Sequence, residues 1–266
     1  MRQVAAIRGA AALFLVFLLA GCQTLEVAPD SGVSGDNTGG LGTPLRRSSP
    51  ADVYVELGGA YLSEGKIGEA LKNARKAVLA DPRHAGAYTL LGVVHQRLGQ
   101  MGPAGEAFTK AVTLAPHDPY ALNALGSWLC AQKRYDEADP YFRRALKNPL
   151  YPTPWVASYN AGSCAENRGD VAQAEKDYRA SLSANPRFAP ALLRMAFITF
   201  EQGRFLSSRA YLQRYAAVAP HTAESLWLGV RTEKRLGDKE QMASYAMKLR
   251  ARFPDSEQAR FLEALQ

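Results

Sequence analysis

The sequence predicts an all-α protein, a right-handed superhelical solenoid of six helix-turn-helix units over residues 51–266. Three observations predict it. Prolines stand at 82, 116, 152, 186, 220 and 254, and four of the five intervals between them are 34 residues. Glycines at 65, 99, 169, 203 and 237 keep the same beat, with Lys133 in the missing place. Small, aromatic and small residues recur in fixed order between these punctuation marks. Neither a helix nor a strand has a period of 34; a supersecondary unit repeated along the chain does.

The units follow in order. The first carries Leu57, Gly58, Tyr61, Ala70, Ala77 and Pro82; the second Tyr88, Leu91, Gly92, Ala104, Phe108, Ala111 and Pro116. The third has Leu125, Gly126, Ala138, Phe142 and Ala145, and the fourth Gly162, Ala174, Tyr178 and Pro186. Between them, Asn148-Pro149-Leu150-Tyr151-Pro152 accommodates two extra residues. The fifth keeps Ala196, Gly203, Leu212 and Pro220 but has Ser208 where Ala is expected. The sixth keeps little beyond Leu228, Gly229, Gly237 and Pro254, which suits a terminal cap with no further neighbour. This order of small residues, aromatic and proline is the tetratricopeptide signature.

Each unit presents an apolar stripe that it cannot cover alone. Gly92, Ala104, Gly126 and Ala138 let paired helices approach, while Phe108 and Phe142 are expected to fill the space between units. The prolines stop the second helices, because proline lacks the N–H and biases its predecessor away from helix. Stacking then builds one continuous core.

Ahead of the repeats lie two further segments. Met1, Arg2 and Arg8 give a positive start, and Gly9 to Ala20 is an apolar run too short to span a bilayer as a finished helix. It reads as a secretory signal over residues 1–21. Its end, Leu19-Ala20-Gly21-Cys22, resembles the lipobox of bacterial lipoproteins, which implies lipid attachment at Cys22. The alternative is an ordinary signal with an incidental cysteine. By the same resemblance, Gln23 rather than Asp after the cysteine implies delivery to the outer membrane, lipid-anchored and facing the periplasm. Residues 22–50, rich in Gly, Ser, Asp and Pro, read as a lipidated N-terminus and flexible tether with an end-to-end distance of roughly 30 Å.

The net charge is +7, about +5 once Arg2 and Arg8 are removed. Arg75, Lys76, Arg143, Arg144, Arg250 and Arg252 are spread at helical spacing without aromatic stacking platforms, so a solvated surface is expected and no nucleic-acid partner. His84, His95, His117 and His221 offer no ligand spacing for zinc, so no metal and no cofactor are expected. Glu69, Glu106, Glu137 and Asp139 fall on exposed second-helix faces, and no nucleophile or phosphate-loop motif is present in the repeats. Neither catalytic residues nor a small-molecule substrate are expected.

In the repeat frame Cys130 and Cys164 lie on first helices of neighbouring units, in an oxidising compartment if the export signal holds. A disulfide between them fits that frame and would stabilise by roughly 3 to 4 kcal/mol; two buried free thiols are the alternative. The remaining feature is the inner face of the first helices. The repeat frame places Val55, Leu62, Thr89, Val93, Gln96, Tyr120, Asn123, Tyr159, Leu193, Phe197, Phe200 and Trp227 there. Being more apolar and aromatic than basic, it points to an apolar or amphipathic partner segment rather than an acidic tail. Some of these aromatics would equally serve as core.

The lipobox, the tether, the repeats, and the stretches Asn148 to Pro152 and Ser225-Leu226-Trp227-Leu228-Gly229 together resemble the type IV pilus biogenesis and stability lipoproteins of the PilF/PilW kind. The resemblance implies a pilotin, which binds the type IV pilus secretin subunit, takes it to the outer membrane and supports its multimerisation. The cysteine pair also looks like one found in part of that family. Two other readings remain at this level: a general periplasmic scaffold in envelope assembly, and a peptidoglycan-active enzyme.

Overall fold

A computed structural model describes residues 49–263. The expected signal, Cys22 and almost all of the expected tether lie outside them. Thirteen helices occur among the described residues, and the first twelve form six antiparallel pairs: α1 (Pro50–Ser63) with α2 (Ile67–Ala80), α3 (Ala85–Arg97) with α4 (Met101–Leu114), and α5 (Pro119–Ala131) with α6 (Tyr135–Leu146). They continue with α7 (Pro154–Arg168) and α8 (Val171–Ala184), α9 (Ala189–Glu201) and α10 (Phe205–Ala216), and α11 (Ala223–Leu236) and α12 (Lys239–Arg252). The short α13 (Glu257–Glu263) follows. The first helices α1, α3, α5 and α7 touch in series, as do α9 and α11, whereas neighbouring second helices do not pack to a comparable extent. The first helices therefore form the inner layer of a tetratricopeptide solenoid.

The turns between paired helices explain the glycine beat. Gly65, Gly99, Gly169, Gly203 and Gly237 all have φ between 73° and 89°, in the left-handed region, and a side chain there would meet no neighbour. Backbone conformation alone selects glycine at these turns. Lys133 occupies the same turn at φ 60°, where a β-carbon costs about 1–2 kcal/mol. Lys133→Gly is expected to stabilise the fold by about 0.5–1 kcal/mol after the extra chain entropy of glycine is deducted. Thermal melting should rise by about 1–4 °C; an unchanged or lower midpoint would contradict the strain argument.

Within the pairs, close approach decides the small residues. A β-carbon on Gly92 would fall 2.6 Å from the Phe108 ring, one on Gly126 2.9 Å from Phe142, and one on Gly162 2.9 Å from Tyr178. Phe108 and Phe142 thus first close the gap within their own pairs, and only then reach the next unit through Leu125 and through Ala161 and Cys164. In the fifth pair Ala196 replaces the glycine and Leu212 the aromatic, both fully buried. A larger first-helix residue meets a smaller partner, so the packing is kept.

Three features depart from expectation. The first helix carries a capping box that the repeat frame does not contain: the Ser49 hydroxyl accepts from the Asp52 N–H at 3.1 Å, and Asp52 accepts from the Ser49 N–H at 2.8 Å. His84 joins this capping box to the second unit, its Nε2 lying 2.8 Å from Asp52 Oδ1 while its Nδ1 accepts from the Ala87 N–H. The His84 bond, then the Ser49 N–H, hold the Asp52 carboxyl down at about 2. Ser208, in the place expected for Ala, is fully buried, donates to the Ala196 carbonyl at 2.9 Å and lies 3.2 Å from Thr232 Oγ1. The sixth pair is not the end of the stack either, since Ala259 and Leu262 of α13 close the cluster of Leu226, Val230 and Leu249.

The insertion before Pro152 also acquires a purpose. Asn148 accepts from the Leu150 N–H at 2.9 Å, and the turn seats Tyr151, 5% exposed, against Leu122, Ala145 and Ala157.

Candidate protein-binding groove

The inner layer places the twelve predicted groove residues unequally. Tyr120 is 48% exposed and stands edge-on to Tyr151 with ring centroids 5.2 Å apart. The buried Tyr151 ring fixes one side of Tyr120 and leaves the other to solvent. Val55, Thr89, Gln96 and Asn123 are half-exposed; Thr89 donates to its own helix at Ala85, and Asn123 accepts from Asn160 of the next first helix at 3.0 Å. Leu62, Val93, Leu193 and Phe197 are half-buried against the core clusters.

Three aromatics are shared between groove and core. Tyr159 packs against Tyr178 and Phe188, each with centroids 5.5 Å away, and burial pushes its phenol up. Phe200 is 7% exposed among Ala196, Leu212 and Leu228. Trp227 rests on the last cluster with its ring 6.0 Å from Phe261 of α13. Their places in the repeat are those of groove residues, but the neighbouring pair covers much of each ring.

Charged residues absent from the expected set also line this layer. Glu166 accepts from the Tyr178 hydroxyl at 2.7 Å and from Arg194 Nε at 3.0 Å, and Arg194 lies 5.5 Å from the Phe197 ring centroid. Burial, then the bond to Glu166, push the Tyr178 phenol well above its ordinary range. This arrangement joins α7, α8 and α9 and fixes the middle of the groove. Farther along, Arg231 and Lys234 of α11 enter the same layer. The repeat itself could have revealed Lys234, which is the one cation in the column Leu62, Gln96, Cys130, Glu166, Phe200, Lys234.

Cys130 and Cys164 are joined as a disulfide between α5 and α7, with Cα atoms 5.6 Å apart, inside the range such bonds require. On the second-helix layer of the same junction, Arg143 of α6 binds Asp177 of α8 through two hydrogen bonds of 2.6 and 2.7 Å. Both staples flank the insertion. A hollow of about 590 Å³ between α4, α5 and α6 faces away from the groove. Trp128 lies in its wall, its indole N–H donating to the Met101 carbonyl at 3.1 Å. No group of three or more metal-ligating side chains occurs among the described residues, and no helix there is long and apolar enough to cross a membrane.

A family model described as tetratricopeptide repeat matches residues 55–119 and 123–190. The type IV pilus assembly protein PilF of Pseudomonas aeruginosa is 32% identical over 246 residues, covering 91% of this chain and 94% of that protein. This chain belongs to the tetratricopeptide-repeat family of type IV pilus biogenesis proteins. A solved structure of Pseudomonas aeruginosa PilF superposes with a TM-score of 0.74 at 30% identity, over 82% of this chain and 98% of that one. PilW, described as a widely conserved type IV pilus biogenesis factor, superposes with a TM-score of 0.72 at 29% identity, over 80% and 97%. The alignment therefore includes the inner layer of helices and not the repeats of one half alone.

Proposed function

We propose that this protein is a lipid-anchored pilotin of the outer membrane, which binds the type IV pilus secretin and promotes its localisation and multimerisation. The observation that carries the reading is identity to a pilus assembly protein along nine-tenths of both chains. Leu19-Ala20-Gly21-Cys22 supplies the sequence basis for an anchor, and acyl chains would contribute about 0.8 kcal/mol per buried methylene. The protein acts by holding a partner rather than by catalysis. Anchoring raises the partner's local concentration at the membrane without new chemistry.

A strain lacking the protein should keep normal secretin monomer but lose heat-stable secretin multimers, surface pili and twitching. Wild-type multimer levels in that strain would overturn the reading. Cys22→Ala should reproduce the multimer defect and shift the protein out of the outer-membrane fraction. Among groove residues, Tyr120→Ala should weaken secretin binding by about 1 to 4 kcal/mol with little loss of helix content. Tyr159→Ala is a poorer binding probe, because its ring also packs on Tyr178 and Phe188.

A further inference from the structure

The hollow between α9 and α11 combines aromatic walls with unneutralised positive charge. It measures about 370 Å³ and is bounded by Phe200, Phe205, Trp227, Arg231, Lys234 and Arg235, with Glu201 at one edge. The Arg231 guanidinium lies 4.2 Å from the centre of the Phe200 ring, and that of Arg235 4.6 Å from Phe205. Glu201 takes a single hydrogen bond from Arg231 at 3.2 Å. Among the described residues, neither Lys234 nor Arg235 forms an ion pair.

The same hollow exists one unit earlier, which separates what the fold makes from what the sequence adds. There, a space of about 380 Å³ is bounded by Glu166, Val171, Arg194, Phe197 and Glu201. Its one cation, Arg194, is already bound by Glu166. Arg235 stands one repeat after Glu201, so the sign of the charge at that place is reversed in the last pair. Three cations gathered around one carboxylate repel one another, and the rings stacked under two of them hold those guanidinium groups in place. A ligand with carboxylates relieves the repulsion, and a planar guanidinium receives a carboxylate through two parallel hydrogen bonds.

We propose that this hollow binds an acidic peptide segment in which carboxylates flank an aromatic side chain. The carboxylates pair with Arg231, Lys234 and Arg235, and the aromatic side chain packs on Trp227 and Phe205. Aromatic walls favour a peptide over an anionic lipid surface, which would need cations on an open face and not around a hollow. The site lies at the opposite end of the groove from the apolar first units. It holds whichever protein supplies the segment, so its failure leaves the secretin reading untouched and that reading's strain phenotypes do not test it.

The test uses the full-length protein in detergent and a fluorescein-labelled dodecapeptide of alternating glutamate, aspartate and phenylalanine. Fluorescence anisotropy should show saturable binding that weakens as salt rises. R231E/R235E should weaken it about tenfold or more, as expected when charge-assisted bonds are lost. E201Q should tighten it, since it removes the competing carboxylate; a purely structural role for these side chains predicts no gain. Circular dichroism checks folding, and R235Q serves if the double variant unfolds. Equal affinity in the folded charge variants, no saturable binding of the peptide, or binding only to phosphatidylglycerol vesicles would overturn the proposal.

Discussion

Phe142→Ala is expected to destabilise the repeat domain by about 3–5 kcal/mol, the range for emptying a fully buried aromatic site. The ring is completely buried, over Gly126 of its own pair and against Ala161 and Cys164 of the next. In a stack whose stability is the sum of unit and interface contributions, this one substitution weakens a unit and an interface together. Unfolding in denaturant, followed by circular dichroism and by tryptophan fluorescence, should move to markedly lower concentration. A loss under about 1 kcal/mol would show that neighbouring side chains collapse into the space.

The close approach supplies a sharper form of the same test. Gly126→Ala alone pushes a β-carbon to 2.9 Å from the Phe142 ring, and such overpacking typically costs about 1–3 kcal/mol. In the Phe142→Ala background the same methyl enters empty space and replaces a poor helix former with a good one. The double variant should therefore be more stable than the sum of the single losses predicts, with coupling on the order of 1 kcal/mol or more. Additive losses would mean that the glycine is kept for some reason other than this ring.

What the sequence revealed and what it concealed divide along the repeat frame. The prolines, turn glycines and glycine–aromatic pairs serve the same local geometry in every unit, so their period could be read directly. Ser49, Asp52 and α13 lie outside that frame, and nothing in the period announces a capping box or a closing helix. Ser208 stood out only as a departure from Ala, because a buried hydroxyl is acceptable only when partnered, and its partners, the Ala196 carbonyl and Thr232, lie 12 and 24 residues away. Tyr159 and Phe200 occupy groove places in the repeat, but the tilt of the next pair decides how much of each ring is covered. Arg231, Lys234 and Arg235 were visible as residues; their common hollow was not.

The junction between the third and fourth units unites several of these features and supports the second large effect. Two extra residues enter there, which lengthens the connection between otherwise regular pairs. The disulfide ties α5 to α7 on the inner layer, and Arg143–Asp177 ties α6 to α8 behind it. Asp177 is almost fully buried, so its charge is tolerable only while Arg143 and Gln173 bond it. Cys130→Ala with Cys164→Ala removes the cross-link and leaves the ion pair. The bridged cysteines are 34 residues apart, for which the chain-entropy account gives about 3 to 4 kcal/mol, lost through a freer unfolded chain. The melting temperature of the oxidised protein should fall by on the order of 10 °C in that variant, and to a similar extent in wild type after reduction. Alkylation and mass spectrometry fix the starting state. Two alkylatable thiols before reduction, or a variant that melts with the oxidised protein, would show that the ion pair and the buried Tyr151 hold the junction without the covalent bond.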